Sequence, residues 1–285
     1  MKFITPLRYP GGKARLASAL ADVMDANGLV EPAMAEPFAG GAGASLELLF
    51  SEKVRSIAIN DLDYRIFAFW WAILNHPDLF LEEIENSKLS IKEWRRQRDI
   101  YRNARKHKRF DVGFATFYLN RTNRSGILVN GGPIGGFHQS GEWRLSARFN
   151  KSTLKSRIER ITVYRDRISL YNLDAMEFVD LLTKKNKKNL FVYLDPPYYE
   201  QGAHLYLSKY SHDDHVAIGK IIMRCPDLNW VMTYDDVPQI RAIYKGCRIK
   251  KFSLRYTAQR RREGEEVLIA PKSMALPKRI RSNGS

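Results

Sequence analysis

The run Leu190-Phe191-Val192-Tyr193-Leu194 is apolar throughout and stops at Asp195-Pro196-Pro197-Tyr198. A short apolar run bounded by a turn signal reads as a buried β-strand. Each proline fixes its φ, gives up an N–H and pushes the residue before it away from helix. The backbone therefore leaves the sheet rigidly, with carbonyls unpaired. Asp195 and the Pro196 carbonyl are hydrogen-bond acceptors, Pro197 stiffens the exit, and Tyr198 offers an aromatic face. Two acceptors beside a stacking platform suit an exocyclic amino group on a planar ring. The plain alternative is a strand that ends in a Pro-Pro turn.

The outer parts of the chain alternate strand and helix patterns. Ala14 to Met24 is amphipathic, Met34 to Phe38 leads from a short strand into a glycine turn, and Val54 to Ile59 is a strand ending at Asn60-Asp61. Further strands are expected at Arg165 to Tyr171, Trp230 to Tyr234 and Glu266 to Ala270. The middle differs: Ser87 to Arg109 reads as a very basic helix, and Asn120 to Phe149 as a long loop rich in Gly, Asn, Arg and Ser. This order predicts an α/β fold, a Rossmann-like doubly wound sheet with an inserted, mainly helical lobe. The expected boundaries are 1–75 and 160–270 for the sheet domain and 76–159 for the insertion. The Pro-, Lys- and Arg-rich stretch 271–285 is expected to be a disordered tail. In doubly wound sheets ligands bind beyond the carboxyl ends of the strands. The features at 36–43, 60–61 and 195–198 all come after expected strands, so they would line one crevice.

Charge placement narrows the partner. The net charge is +16, and residues 88–170 hold twenty Lys and Arg against six Asp and Glu. A lobe that concentrates positive charge suits a polyanion, and nucleic acid first of all. No run approaches the roughly eighteen apolar residues of a membrane span, and the N-terminus lacks a signal-peptide pattern. Two cysteines are too few for a disulfide framework and read as thiols in a reducing, cytoplasmic compartment. The His212-Asp213-Asp214-His215 cluster reads as a polar helix start, so no metal site is expected. No membrane partner is expected, and the oligomeric state stays open.

The turn Phe38-Ala39-Gly40-Gly41-Ala42-Gly43 lacks the Lys-Ser or Lys-Thr of a P-loop and is shorter than the dinucleotide fingerprint. Small residues after a strand still let backbone approach a ligand closely. A ligand with an amino-acid end and a nucleoside but no phosphate fits such a loop. S-adenosylmethionine meets that description, with Asp61 spaced for its ribose. Tyr9 can lie against a sulfonium and Lys13 can pair with a carboxylate.

Taken together, these residues resemble the Dam-type, D12 class of N6-adenine-specific DNA methyltransferases. The matching pieces are Tyr-Pro-Gly-Gly-Lys at 9–13, Glu-Pro-Phe-Ala-Gly-Gly-Ala-Gly at 36–43, Asn-Asp at 60–61, Asn-Arg-Thr at 120–122, Asp-Pro-Pro-Tyr at 195–198 and Glu-Val-Leu at 266–268. The resemblance implies a catalytic domain with an inserted DNA-reading lobe, duplex DNA as partner and S-adenosylmethionine as methyl donor without a metal. By position, Tyr9, Lys13, Pro37, Phe38, Ala39, Gly40, Gly41, Gly43, Asp61, Asp174 and Asp195 would contact the donor, Asp174 at its adenine. Asp195, Pro196, Pro197 and Tyr198 would form the catalytic turn around a flipped adenine. Asn120, Arg121, Arg124, Arg144 and Arg148 are the candidates for DNA contact, since arginine reaches phosphate or the O6 and N7 of guanine. Two alternatives stand beside this one. The same chemistry would serve N4 of cytosine or an RNA adenine, and a chain without catalysis would keep the fold as a DNA-binding scaffold. The recognised sequence and any pairing with a restriction nuclease are open.

Overall fold

A computed structural model of the chain describes residues 4–8, 16–185, 189–200, 210–255 and 263–277. Seven strands form one sheet: β1 (Ala33–Glu36), β2 (Ser56–Asn60), β3 (Ile168–Tyr171), β4 (Leu190–Leu194), β5 (Asn229–Asp235), β6 (Arg248–Arg255) and β7 (Glu263–Ala270), in the order β3-β2-β1-β4-β5-β7-β6. The chain divides into two compact units, one of residues 1–12 and 61–172 and one of residues 13–60 and 173–285.

The second unit carries the parallel strands. β1 pairs in parallel with both β2 and β4, and β4 with β5. β7 runs antiparallel between β5 and β6. The central strands are buried along their length, as expected for a sheet whose faces are covered. Helices α1 (Ala17–Ala26), α2 (Gly43–Phe50), α8 (Ala175–Lys185), α9 (His212–Met223) and α10 (Pro238–Ile243) belong to this unit. β1 leads in sequence to β2, whereas β4 pairs on its opposite side, so strand order reverses between β1 and β4. This reversal is where α/β sheets open a crevice. The histidine-acid cluster is indeed a helix start. Ser211 caps α9, and Asp214 completes a capping box by accepting the Ser211 N–H in return.

The first unit is mainly helical, with α3 (Tyr64–Asn75), α4 (Pro77–Asn86), α5 (Ile91–Arg102), α6 (Arg109–Thr122), α7 (Lys151–Val163) and the strand β3. Side chains of Asp63, Ser90 and Asn150 cap α3, α5 and α7. Its core is aromatic: Phe69 stacks on Phe117 with centroids 6.0 Å apart, and Phe80 meets Phe117 at 5.3 Å and Phe114 at 5.4 Å. Gly113 lets α6 press against α3, because a Cβ there would stand 2.4 Å from the Ala68 carbonyl oxygen.

Several expectations need correction. The basic helix placed at 87–109 is shorter: α5 covers Ile91–Arg102, a 3₁₀ turn follows at Ala104–Lys106, and α6 opens at Arg109. The region placed as loop from Asn120 begins later, since α6 continues through Thr122. Beyond α6 the backbone is folded rather than open. Asn123 bridges Pro133, and Gln139 donates to the carbonyls of Ile134 and Gly136 while accepting from the Leu145 N–H. Arg165 to Arg167 form a 3₁₀ turn before β3, and β6 and α7 were not expected. Residues 271–277 pack back: Met274 is buried, and Asn27 exchanges hydrogen bonds with the backbone of Ala275.

Candidate active site

The carboxyl ends of β1 and β4 lie within a residue of each other, because Ala35 pairs with Val192, and β5 runs three residues beyond Met232, the partner of Leu194. Residues just past these ends therefore share one edge of the second unit. Asp195 leaves β4 half-buried, Pro196 is buried, and Pro197 and Tyr198 are half-buried. Thr233 on β5 donates its hydroxyl proton to Asp195 Oδ1 at 2.6 Å. Since that proton is committed, the Tyr193 hydroxyl, 3.1 Å away, donates to Thr233 Oγ1. Tyr193 and Thr233 are both fully buried. The chain of bonds anchors one carboxylate oxygen of Asp195 and so fixes where the second one lies.

Two residues further along β5, on the same face of the strand, Asp235 holds the turn from its other end. Its Oδ1 accepts the Tyr199 N–H at 2.9 Å and its Oδ2 the Glu200 N–H at 2.8 Å. Backbone donors just past the prolines are thus satisfied by a carboxylate that is itself buried. A cluster of rings backs this turn. Tyr198 packs near Tyr234 with centroids 6.4 Å apart, and Tyr199 lies 5.1 Å from His215. His215 Nδ1 and Tyr234 Oη are hydrogen-bonded at 2.9 Å. Burial lowers the His215 pKa, against the pull of Asp235 and Asp214. The ring is therefore neutral, and Tyr234, whose ionisation burial strongly opposes, is the donor.

Across the strand reversal, Glu36 ends β1 buried and accepts a hydrogen bond from Ser45 on α2. Pro37, Ala39, Gly40 and Gly41 are buried and Phe38 is half-exposed, its ring edge-on to Tyr210 at 6.1 Å. Gly40 and Ala42 take positive φ values of 47° and 46°, which lets the chain fold tightly into Gly43 at the start of α2. Asn60 stitches this turn to its neighbours. Its amide donates to the carbonyls of Pro37 and Leu173, each at 3.0 Å, its Oδ1 accepts the Leu173 N–H, and its own carbonyl accepts the Ala39 N–H. Asp174 comes next in the chain, with Oδ1 accepting the Met176 N–H at 2.8 Å to open α8.

The structure thus brings Pro37 to Gly43, Asp174 and Asp195 to Tyr198 into one unit. Asp61 falls in the other unit, where its Oδ1 accepts the Asp63 N–H and its carbonyl the Asn172 amide. Tyr9 and Lys13 lie outside the described residues. Tyr193, Thr233 and Asp235, which hold the turn after β4, were not among the expected residues, and Asn60, expected only as part of the Asn-Asp pair at 60–61, holds the turn after β1. Among the described residues no three His, Cys, Asp or Glu side chains gather as a metal-ligand set, and no helix is long and apolar enough to cross a membrane.

The expected DNA contacts divide. Arg124, Arg144 and Arg148 are exposed. Asn120 is fully buried, and its amide accepts the Arg8 N–H at 2.6 Å and donates to the carbonyls of Arg8 and Gly126. Arg121 is 9% exposed and donates to the carbonyls of Arg148 and Pro6. Neither side chain is free to read a base edge in this arrangement. They hold Pro6 and Arg8 against the end of α6.

The sequence profile of the D12 class N6 adenine-specific DNA methyltransferases matches residues 9–258. The chain belongs to that family. Its mostly parallel seven-stranded sheet is a Rossmann-like α/β arrangement. Among solved structures, a Pyrococcus horikoshii protein described as a putative RNA methyltransferase is 11% identical, with a TM-score of 0.41 over 93% of this chain and 84% of that one. The rRNA methyltransferase AviRa from Streptomyces viridochromogenes is 12% identical, with a TM-score of 0.39 over 93% and 86%. No curated protein matches. Family membership makes this D12 chain a methyltransferase and implies S-adenosylmethionine as donor and DNA as substrate.

Proposed function

We propose that the chain is a site-specific enzyme transferring a methyl group from S-adenosylmethionine to N6 of an adenine turned out of duplex DNA. The observation that carries this reading is the Asp195 carboxylate, anchored through one oxygen by Thr233 and leading into the Pro196-Pro197 turn. The donor, when bound, supplies a methyl group activated on a sulfonium. Residues 37–41 and Gly43, small from Ala39 onward and with Gly40 left-handed, fit its methionine end, and Asp174 offers its carboxylate to the donor's adenine. Tyr9, Lys13 and Asp61 complete the donor set by their place in the family pattern.

Adenine N6 is a weak nucleophile because its lone pair is delocalised into the ring. The second carboxylate oxygen of Asp195 and the Pro196 carbonyl each accept an N6 proton, which favours a pyramidal nitrogen. Tyr198 lies against the ring and fixes its plane. The N6–C bond forms as the S–C bond breaks, and the proton held by Asp195 is the one released. Positioning of this kind contributes roughly 7–11 kcal/mol in well-oriented systems. Unstacking the base costs a few kcal/mol, offset by stacking and by the basic region 76–159, with Arg124 and Arg144 exposed for DNA contact.

The test is transfer of tritiated methyl from S-adenosylmethionine to unmethylated duplex DNA, with the product digested to nucleosides. Label on N6-methyladenosine is expected. Label on cytosine, or only on RNA, would replace the proposed substrate. Donor binding without label would point to another nucleic acid or target sequence, and the absence of both label and donor binding would leave the scaffold reading.

A further inference from the structure

Arg121 is a buried cation with no counter-ion among the described residues. Its Nε–H donates to the Arg148 carbonyl at 2.8 Å and an Nη–H to the Pro6 carbonyl at 3.4 Å. Arg157 donates to the Thr5 carbonyl at 3.2 Å, one residue from Pro6, and Arg8 to the Asn123 carbonyl at 3.1 Å. Three guanidinium groups thus sit on the short segment 5–8 and the end of α6, with Arg148 supplying both a carbonyl and a fourth, exposed guanidinium. Among the described residues none of the four forms an ion pair. Neighbouring arginines differ: Arg96 pairs with Glu93 at 2.7 Å and Arg65 with Asp63 at 3.2 Å.

Carbonyl dipoles solvate such a group but do not neutralise it, and burying unpaired like charges is costly. The strain is visible at Arg121, whose pKa is pushed down to about 9 by burial first and then by Arg157, Arg8 and Arg148. It keeps its proton at neutral pH even so. Arg8 is lowered as well, by burial and by Arg148.

We propose that Arg8, Arg121, Arg148 and Arg157 form a seat for a phosphate group, with Arg121 as its buried floor and the other three reaching the anion. Planar guanidinium forks suit tetrahedral oxyanions, and a charge-assisted bond gains most where the cation is already stripped of water. The occupant is a phosphodiester of the DNA backbone. That identity rests on the function proposed above, whereas the anion seat itself rests on the arginines. In this role Arg121 sets the field of the site and reads no base.

The test is anisotropy titration of the full chain against a duplex oligonucleotide over a series of salt concentrations, with Arg148→Gln and Arg157→Gln. Arg148 is exposed and its side chain makes no hydrogen bond or ion pair among the described residues, so that variant should melt no lower than wild type. Each variant should bind every sequence more weakly, by about fivefold at 0.15 M salt for one phosphate contact, and lower the slope of log K against log salt by about 0.9. Arg148→Lys should recover most of the slope. Unchanged affinity and slope in both variants, with no effect of inorganic phosphate on the wild-type melting temperature, would overturn the seat. If inorganic phosphate raises the wild-type melting temperature while DNA binding is unchanged in the variants, the seat takes a free anion and the phosphodiester assignment fails. Methyl transfer by wild type is measured in parallel. Its absence, with the slope still lowered in the variants, would sink the proposed reaction and leave the seat standing.

Discussion

Thr233 Oγ1 lies 2.6 Å from Asp195 Oδ1, so the residue that ends β4 is held by a hydroxyl on β5. A hydrogen bond to a charged group is worth about 1.5–3 kcal/mol, or roughly ten- to a hundredfold in rate if it acts only on the chemical step. Thr233→Val should therefore lower kcat by that factor, with KM for donor and DNA little changed, and Thr233→Ser should restore most of it. A fall in thermal stability with kcat intact would mean the bond serves the fold alone.

Asp195→Ala removes the carboxylate itself. Turnover should be nearly abolished while DNA affinity stays close to wild type. Steady-state rates together with anisotropy titration check both halves, and normal turnover would remove Asp195 from the reaction.

Asp235 accepts two backbone N–H groups, those of Tyr199 and Glu200. Asp235→Ala leaves both without that partner, a cost of about 1–3 kcal/mol for each one that stays buried. The measurable signature is faster amide exchange at Tyr199 and Glu200 with a matching loss of kcat. Exchange as slow as in wild type would show that the turn holds itself.

His215 makes stability depend on pH. In the unfolded chain it takes up a proton near pH 6.5, whereas burial lowers its pKa in the folded chain. Between those two values the unfolded state binds more protons, so stability falls as pH drops below about 6.5, until the folded-state value is passed. Melting temperatures at about pH 7.5 and pH 5.5 should drop further in wild type than in His215→Gln, and equal drops would exclude His215 as the cause.

At Gly113, a Cβ would stand 2.4 Å from the Ala68 carbonyl oxygen and 2.8 Å from its carbon. Both are backbone atoms and cannot swing aside, so Gly113→Ala must push α3 and α6 apart. Overpacking of this sort costs about 1–3 kcal/mol, or several degrees in Tm. A variant as stable as wild type would mean the two helices separate freely.

The parts of the molecule legible in the sequence are those whose signal is local. Five apolar residues before two prolines mark β4 and its exit, and Ser211 with Asp214 three residues later marks the start of α9. Thr233 is not legible in this way. Within Asn229–Asp235 it looks like one more strand residue, and only the pairing of Leu194 with Met232 brings it beside Asp195. Asn120 and Arg121 mislead for the opposite reason. Polar residues in sequence suggest surface, yet their partners include the carbonyls and amide of residues 6–8, more than a hundred positions earlier. Strand β6 hides behind its basic residues Arg248, Lys250 and Lys251, as sheet edges often do.

The division of the chain at 12/13, 60/61 and 172/173 has a consequence for anyone who wishes to exchange its parts. Each unit is stitched from two separate stretches of polypeptide, so neither can be excised with one cut or fused as one cassette. A transplant of the helical unit must carry its first twelve residues along. Otherwise the buried amide of Asn120 arrives without the backbone it was shaped to hold.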